Sequence, residues 1–174
     1  MTTPSEQSSD SMTHDFPRAG FFRRLGSWVY DALIAISVYM IAGAISFAVF
    51  ALLVNLGVIP RNGEEHVISI LQNSLVYTIV NECWKLGWVS FFFIYFWARS
   101  GQTVGMKAWR LKVQNLDGSL ISKKTGLKRI IPTLGGIGNI LVLLDWKNKL
   151  SLQDKVTATE VVVLSLAENK RNKL

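Results

Sequence analysis

The chain has 174 residues, of which 49% are hydrophobic and only 18% charged, and its mean hydropathy is +0.28. A soluble domain carries roughly a quarter charged residues, and the hydrophobic residues here are clumped, so lipid is the expected solvent. The formal net charge of +7 does not point to nucleic acid, because the basic residues flank apolar runs instead of forming a domain of their own. Anionic lipid headgroups are the expected partner.

Residues 1–15, MTTPSEQSSDSMTHD, are polar and read as a disordered tail without a signal-peptide pattern. The first apolar run, from Trp28 to about Leu56, predicts a transmembrane helix over about 28–54. Gly43 and its small neighbours Ala42, Ala44 and Ser46 would let a second helix approach closely. GVIPRNGEEH follows as a short acidic loop. The second run, Val67 to Ala98, predicts a second span over about 78–98, counted back roughly 20 residues from Arg99. That count sets Glu82 and Lys85, three apart and able to pair, near the outer boundary as an interfacial ion pair. Residues 67–80 are either a continuation of this helix or a separate surface helix.

From Arg99 to Arg129 eight Lys/Arg stand against a single acid, Asp117. In AWRLKVQNLDGSLIS the side chains alternate, with Trp109, Leu111 and Val113 on one face and Arg110, Lys112 and Gln114 on the other. NLDG, with Asp117 and Gly118, supplies a turn, so a basic β-hairpin is expected over 107–123. Gly101, Thr103 and Gly105 are expected to shape the turn that leads from the membrane helix into it. The third apolar segment, 129–145, is short and contains Pro132, Gly135, Gly136 and Gly138. It suits a re-entrant or interfacial segment better than a full span. A strand over 157–166, TATEVVVLSL, is expected to join the hairpin as a third strand, and 167–174 is a charged tail.

The Lys/Arg bias puts the amino terminus and the basic hairpin in the cytoplasm. Six more Lys/Arg follow Leu144, so the carboxyl terminus is cytoplasmic too if the third segment dips in and returns. The fold class expected is therefore a mainly α membrane protein with two transmembrane helices, a third re-entrant, interfacial or short spanning segment, and a small cytoplasmic β element. Cys83, the single cysteine, excludes an internal disulfide and reads as a small buried hydrophobe. His14 and His66 lack metal-ligand spacing. No nucleophile stands beside a base, so neither a cofactor, a metal nor an enzyme is expected.

Two charges precede or enter the first run. Arg24 and Asp31 lie two helical turns apart, about 10.5 Å along one stripe. A carboxylate in a membrane helix is a functional candidate by default. Its other reading is structural: Asp31 near the headgroups, paired with Arg129 or Lys128 at the entry of the third segment.

Arg24, Asp31, the stretch GQTVGMKAWRLKV with NLDG, and LSLQDKVTATEVVV together resemble the RDD family of prokaryotic membrane proteins, over roughly residues 16–164. The resemblance implies that Arg24 is the family arginine and that Asp31 and Asp154 are its two aspartates. Arg23 and Asp145 are the fallback positions. Many members carry histidine where this chain has Gln153, and Gly-Lys where it has Gly105-Met106-Lys107. Glutamine cannot titrate near neutral pH as histidine does, which removes one proton-relay position. Transport of ions or small solutes across the inner membrane is what the resemblance implies. Two or three segments cannot enclose a pathway, so a transporter would be a homo-oligomer. The alternative is a non-transporting scaffold or accessory subunit whose basic hairpin binds lipid or a partner.

Overall fold

The computed structural model describes residues 16–134, Gly138, residues 141–144 and 147–174. The expected disorder of 1–15, His14, Asp145 and part of the segment 129–145 therefore lie outside the described residues.

The first helix, α1, runs Phe21–Asn55. No proline interrupts it, and it begins seven residues before the predicted span and ends one residue after it. It stops where Gly57 takes φ 77°, with the Gly57 N–H donating to Val54 O (3.1 Å) and the Val58 N–H to Leu53 O (3.0 Å). Such a left-handed glycine satisfies the last free carbonyls. Among the described residues α1 is the one helix long and apolar enough to cross a membrane, and only 6% of its most apolar window is buried within the chain.

Residues 67–80 are not a continuous helix. α2 (Val67–Asn73) ends at Ser74, whose extended backbone breaks the helix and whose Oγ accepts from the Tyr77 N–H, starting α3 (Leu75–Ser100). α1 and α3 run antiparallel: Tyr39 meets Glu82, Ser46 meets Asn81 and Phe50 meets Tyr77. α3 closes on Gly101, at φ 71°, whose N–H donates to Trp97 O.

The expected hairpin is corrected. Residues 104–108 form a short helix, α4 (Val104–Ala108), followed by β1 (Leu111–Asn115). NLDG does reverse the chain: the Gly118 N–H donates to Asn115 O, and Asp117 accepts from the Ser119 N–H and hydroxyl. The segment beyond this turn is no strand, because the Ser122 Oγ accepts from the Thr125 N–H and starts a helix, α5 (Lys123–Leu134). β1 pairs instead with β2 (Thr159–Val163), antiparallel, with Leu111 opposite Val163 and Asn115 opposite Thr159. The further strand-like partner comes from the amino terminus. The Ala19 N–H donates to Val161 O (2.8 Å) and the Val163 N–H to Pro17 O (2.9 Å), so β2 lies between β1 and residues 17–19.

Two short helices complete the described chain before β2, α6 (Leu141–Leu144) and α7 (Leu152–Thr157), and α8 (Leu166–Arg171) comes after it. The buried core is gathered at one end of the α1–α3 pair. Val89, Phe93 and Trp97 of α3 pack there with Met106, Leu111, Val113, Ile130 and Val161. The opposite end is two helices and α2, with apolar side chains on the outside. Cys83 belongs to that outer surface and is exposed, not buried, because its apolar neighbours in sequence point outwards as well.

Candidate functional site

Asp154 is oriented by its own helix. Ser151 caps α7: its Oγ accepts from the Asp154 N–H (3.4 Å), while Asp154 Oδ2 accepts from the Ser151 N–H (3.1 Å). This reciprocal box satisfies two free donors of the first turn and aims the carboxylate at the start of α1. Arg24 meets it there, Nη1 to Oδ2 at 2.6 Å, and Arg129 of α5 meets the other oxygen, Nη2 to Oδ1 at 2.9 Å. All three side chains are closed off from solvent.

The remaining guanidinium donors go to backbone and hydroxyls, except Arg129 Nε, which is buried without a partner among the described residues. Arg24 donates through Nε to Ala19 O (3.1 Å) and through Nη2 to Lys149 O (3.0 Å). Arg129 donates through Nη1 to the hydroxyls of Thr157 and Thr159, and its guanidinium stands over the Trp97 ring. Burial alone would push the Asp154 carboxyl up. The two guanidiniums and the Ser151 donors outweigh it and hold Asp154 below the ordinary carboxylate value. Two cations against one anion leave the cluster with a net positive charge.

Asp31 is not part of this cluster. Its Oδ2 accepts from the Thr103 hydroxyl (2.5 Å) and its Oδ1 from the Gly105 N–H (2.9 Å), and the Ser27 hydroxyl adds a further bond. The carboxylate thus holds the free N–H end of α4 against α1. Among the described residues it makes no ion pair: Arg129 is engaged by Asp154, and Lys128 is exposed. The expected Asp31 partnership with Arg129 or Lys128 is corrected accordingly. Gly105 is no turn residue. It lies in α4, where a Cβ would come within 2.7 Å of Asp31 Cγ. Thr103 is the cap of α4, and Gly101 alone of the three shapes the exit from α3.

A cavity of about 60 Å³ separates the two carboxylate sites, walled by Arg24, Asp31, Trp97, Arg129, Thr133 and Gln153. At roughly 10–15 Å³ per water it has room for a few molecules with polar partners. Arg23 is exposed and takes no part.

Glu82 and Lys85 form a second polar cluster away from this end. Lys85 Nζ lies 2.5 Å from Glu82 Oε1 and over the Tyr39 ring, and the Tyr39 hydroxyl donates to Glu82 Oε2 (2.6 Å). The pair was expected at the outer boundary. It stands opposite Tyr39 and Gly43 of α1. Among the described residues no group of three His, Cys, Asp or Glu could hold a metal ion.

The model of the RDD family matches residues 18–158. The chain belongs to the RDD family. It is accordingly a membrane protein, and Arg24, Asp31 and Asp154 all fall within the matched span of this RDD protein. No curated protein and no solved structure matches it. Reading the sequence ranked Arg129 as a supporting residue, whereas it grips the Asp154 carboxylate as Arg24 does. It missed Ser151 altogether, although Ser-Leu-Gln-Asp has the spacing of a capping box and could have signalled it.

Proposed function

We propose that this RDD protein crosses the inner membrane twice, through α1 and α3, with both termini cytoplasmic, and works as an oligomeric transporter of small ions. One observation carries the reading. Polar groups follow the α1–α3 pair along its length: Asp31, bonded to Thr103 and Gly105 of the α4 start, at one end, Tyr39, Glu82 and Lys85 in the middle, and Ser46 bonded to Asn81 (2.5 Å) beyond. Ionisable groups in membrane helices are rare, face protein or water, and are functional candidates by default. The shared side of the termini is supported by the pairing of residues 17–19 with β2, which ties the two ends of the chain together. In this reading Arg24, Asp154 and Arg129 lock the cytoplasmic cap and Asp31 faces the cavity below the seam.

The scaffold reading has its own support. Both Asp31 oxygens are occupied by donors within the chain, and α5 presents Lys123, Lys124 and Lys128 with Leu127 and Ile131 to the outside. That pattern suits a helix lying among anionic headgroups. Purified protein in vesicles with a trapped pH dye and imposed cation gradients decides between the two. Transport requires flux above empty vesicles and a loss of flux in Asp31→Asn that still assembles. Assembly without any flux leaves the scaffold.

A further inference from the structure

The run of α1 from Ala32 to Val54 has no charged residue and extends about 33 Å, close to the roughly 30 Å of a bilayer's hydrocarbon. Gly43 is its middle residue, and a Cβ there would sit 3.3 Å from Lys85 Cδ. The Glu82–Lys85 pair therefore stands near mid-depth if α1 spans. At that depth the two partners are not equally covered. The Lys85 side chain is 12% exposed, tucked between Tyr39 and α1, whereas the Glu82 side chain is 43% exposed. An ionised carboxylate open to lipid at mid-depth is costly, and such groups face protein or water in membrane proteins. A two-helix subunit has no interior to offer it.

The surface around Glu82 differs from the rest of α3. Its aromatic side, Trp84, Trp88, Phe91 and Tyr95, is bulky and outward. Between that side and Glu82 lie Cys83 and Gly87, both exposed; with Trp84, Trp88 and Phe91 they line a groove, and nothing stands within 4 Å of where a Gly87 Cβ would be. A second helix can come close there. The open charge of this face is Glu82, with Lys85 directly behind it at 12% exposure, so a two-fold contact brings each carboxylate up to a paired ammonium of the other copy.

We infer that this face of α3 is where a second copy of the chain docks in the membrane, with the open side of each Glu82 carboxylate facing the polar Glu82–Lys85–Tyr39 cluster of the other copy. The inference rests on the two-span, oligomeric part of the proposed function and is independent of whether anything is transported.

Cys83 reports on it directly. A disulfide needs the two Cα atoms within about 7 Å, so mild oxidation of full-length protein in native membranes links Cys83 to Cys83 of a second copy. Glu82→Gln, which keeps shape and removes charge, lowers dimer formation about threefold to thirtyfold, the range of interhelical polar bonds in membranes. Glu82→Lys and Lys85→Glu each lose the dimer when expressed alone. Co-expressed, they recover it with each other, because opposite charges then meet only across the contact. A protein that stays monomeric overturns the inference together with the oligomeric reading. Oxidation that links a cysteine introduced at Met40 in a Cys83→Ala background, but never links Cys83, overturns this face while leaving the oligomer standing. An unchanged dimer in Glu82→Gln overturns the role of the carboxylate.

Discussion

Arg24 Nη1 and Asp154 Oδ2 stand 2.6 Å apart across 130 positions of sequence, and neither side chain reaches solvent. A buried ion pair costs desolvation that its Coulomb attraction scarcely repays, but removing one partner leaves the other charge bare. Asp154→Asn strands two buried guanidiniums at once. It should cost about 3–5 kcal/mol, read as a fall in thermal stability of the detergent-solubilised protein. Replacing Arg24, Arg129 and Asp154 together by Met, Met and Leu should recover most of that loss, which a role in which the charge itself is used would not allow.

The same carboxylate sets an acid limit. Its folded value lies below the ordinary 3.8, so the stability it adds is present above that value and disappears only as pH falls through the lower folded value. Limited proteolysis of the carboxyl-terminal region should therefore be unchanged between pH 7 and pH 5 and should accelerate below about 3.8. Asp154→Asn should remove the acid step that this carboxylate contributes.

Two glycines separate close packing from backbone freedom. Gly105→Ala pushes a Cβ to 2.7 Å from Asp31 Cγ and should loosen α4 from α1. Gly126→Ala meets only ordinary contacts, 3.5 Å from an Ile94 methyl, inside α5, where alanine gains roughly 0.5–1 kcal/mol over glycine. Opposite signs in the same unfolding assay are expected. Thr103→Val, which leaves one Asp31 oxygen without its hydroxyl, should cost about 1–3 kcal/mol.

The exposed lysines of α5 give a fourth test. With Lys123, Lys124 and Lys128 changed to Gln, fewer anionic lipids should stay with the protein after detergent extraction, counted by mass spectrometry, while retained zwitterionic lipid stays the same. Equal retention of anionic lipid would remove α5 as a headgroup contact.

Composition and spacing were enough to read α1 and the strand character of both Leu111–Asn115 and Thr159–Val163. Pairing was not legible. Alternation says that Leu111 and Val113 share a buried face but is silent on which strand lies alongside, and the nearer candidate was outcompeted by a helix cap at Ser122. Depth was not legible for a different reason. Counting back from Arg99 assumes that α3 leaves the hydrocarbon there, yet Trp97 and Ser100 are already buried in the cap. The count alone therefore does not fix the depth of Glu82. Asp31 was misassigned because opposite charges were sought for it, when a hydroxyl and a backbone N–H had already filled its oxygens.

The separation of Arg24 from Asp154 also orders events in time. A ribosome delivers Arg24 first and Asp154 near the end, so under the proposed topology α1 enters the bilayer before its arginine has a counter-ion. During that interval the bare charge resists translocation and helps fix which way α1 points. Only when α7 emerges is it neutralised and enclosed. One residue thus directs insertion and then fastens the finished cap, and a chain broken off before residue 154 keeps the first capacity without ever gaining the second.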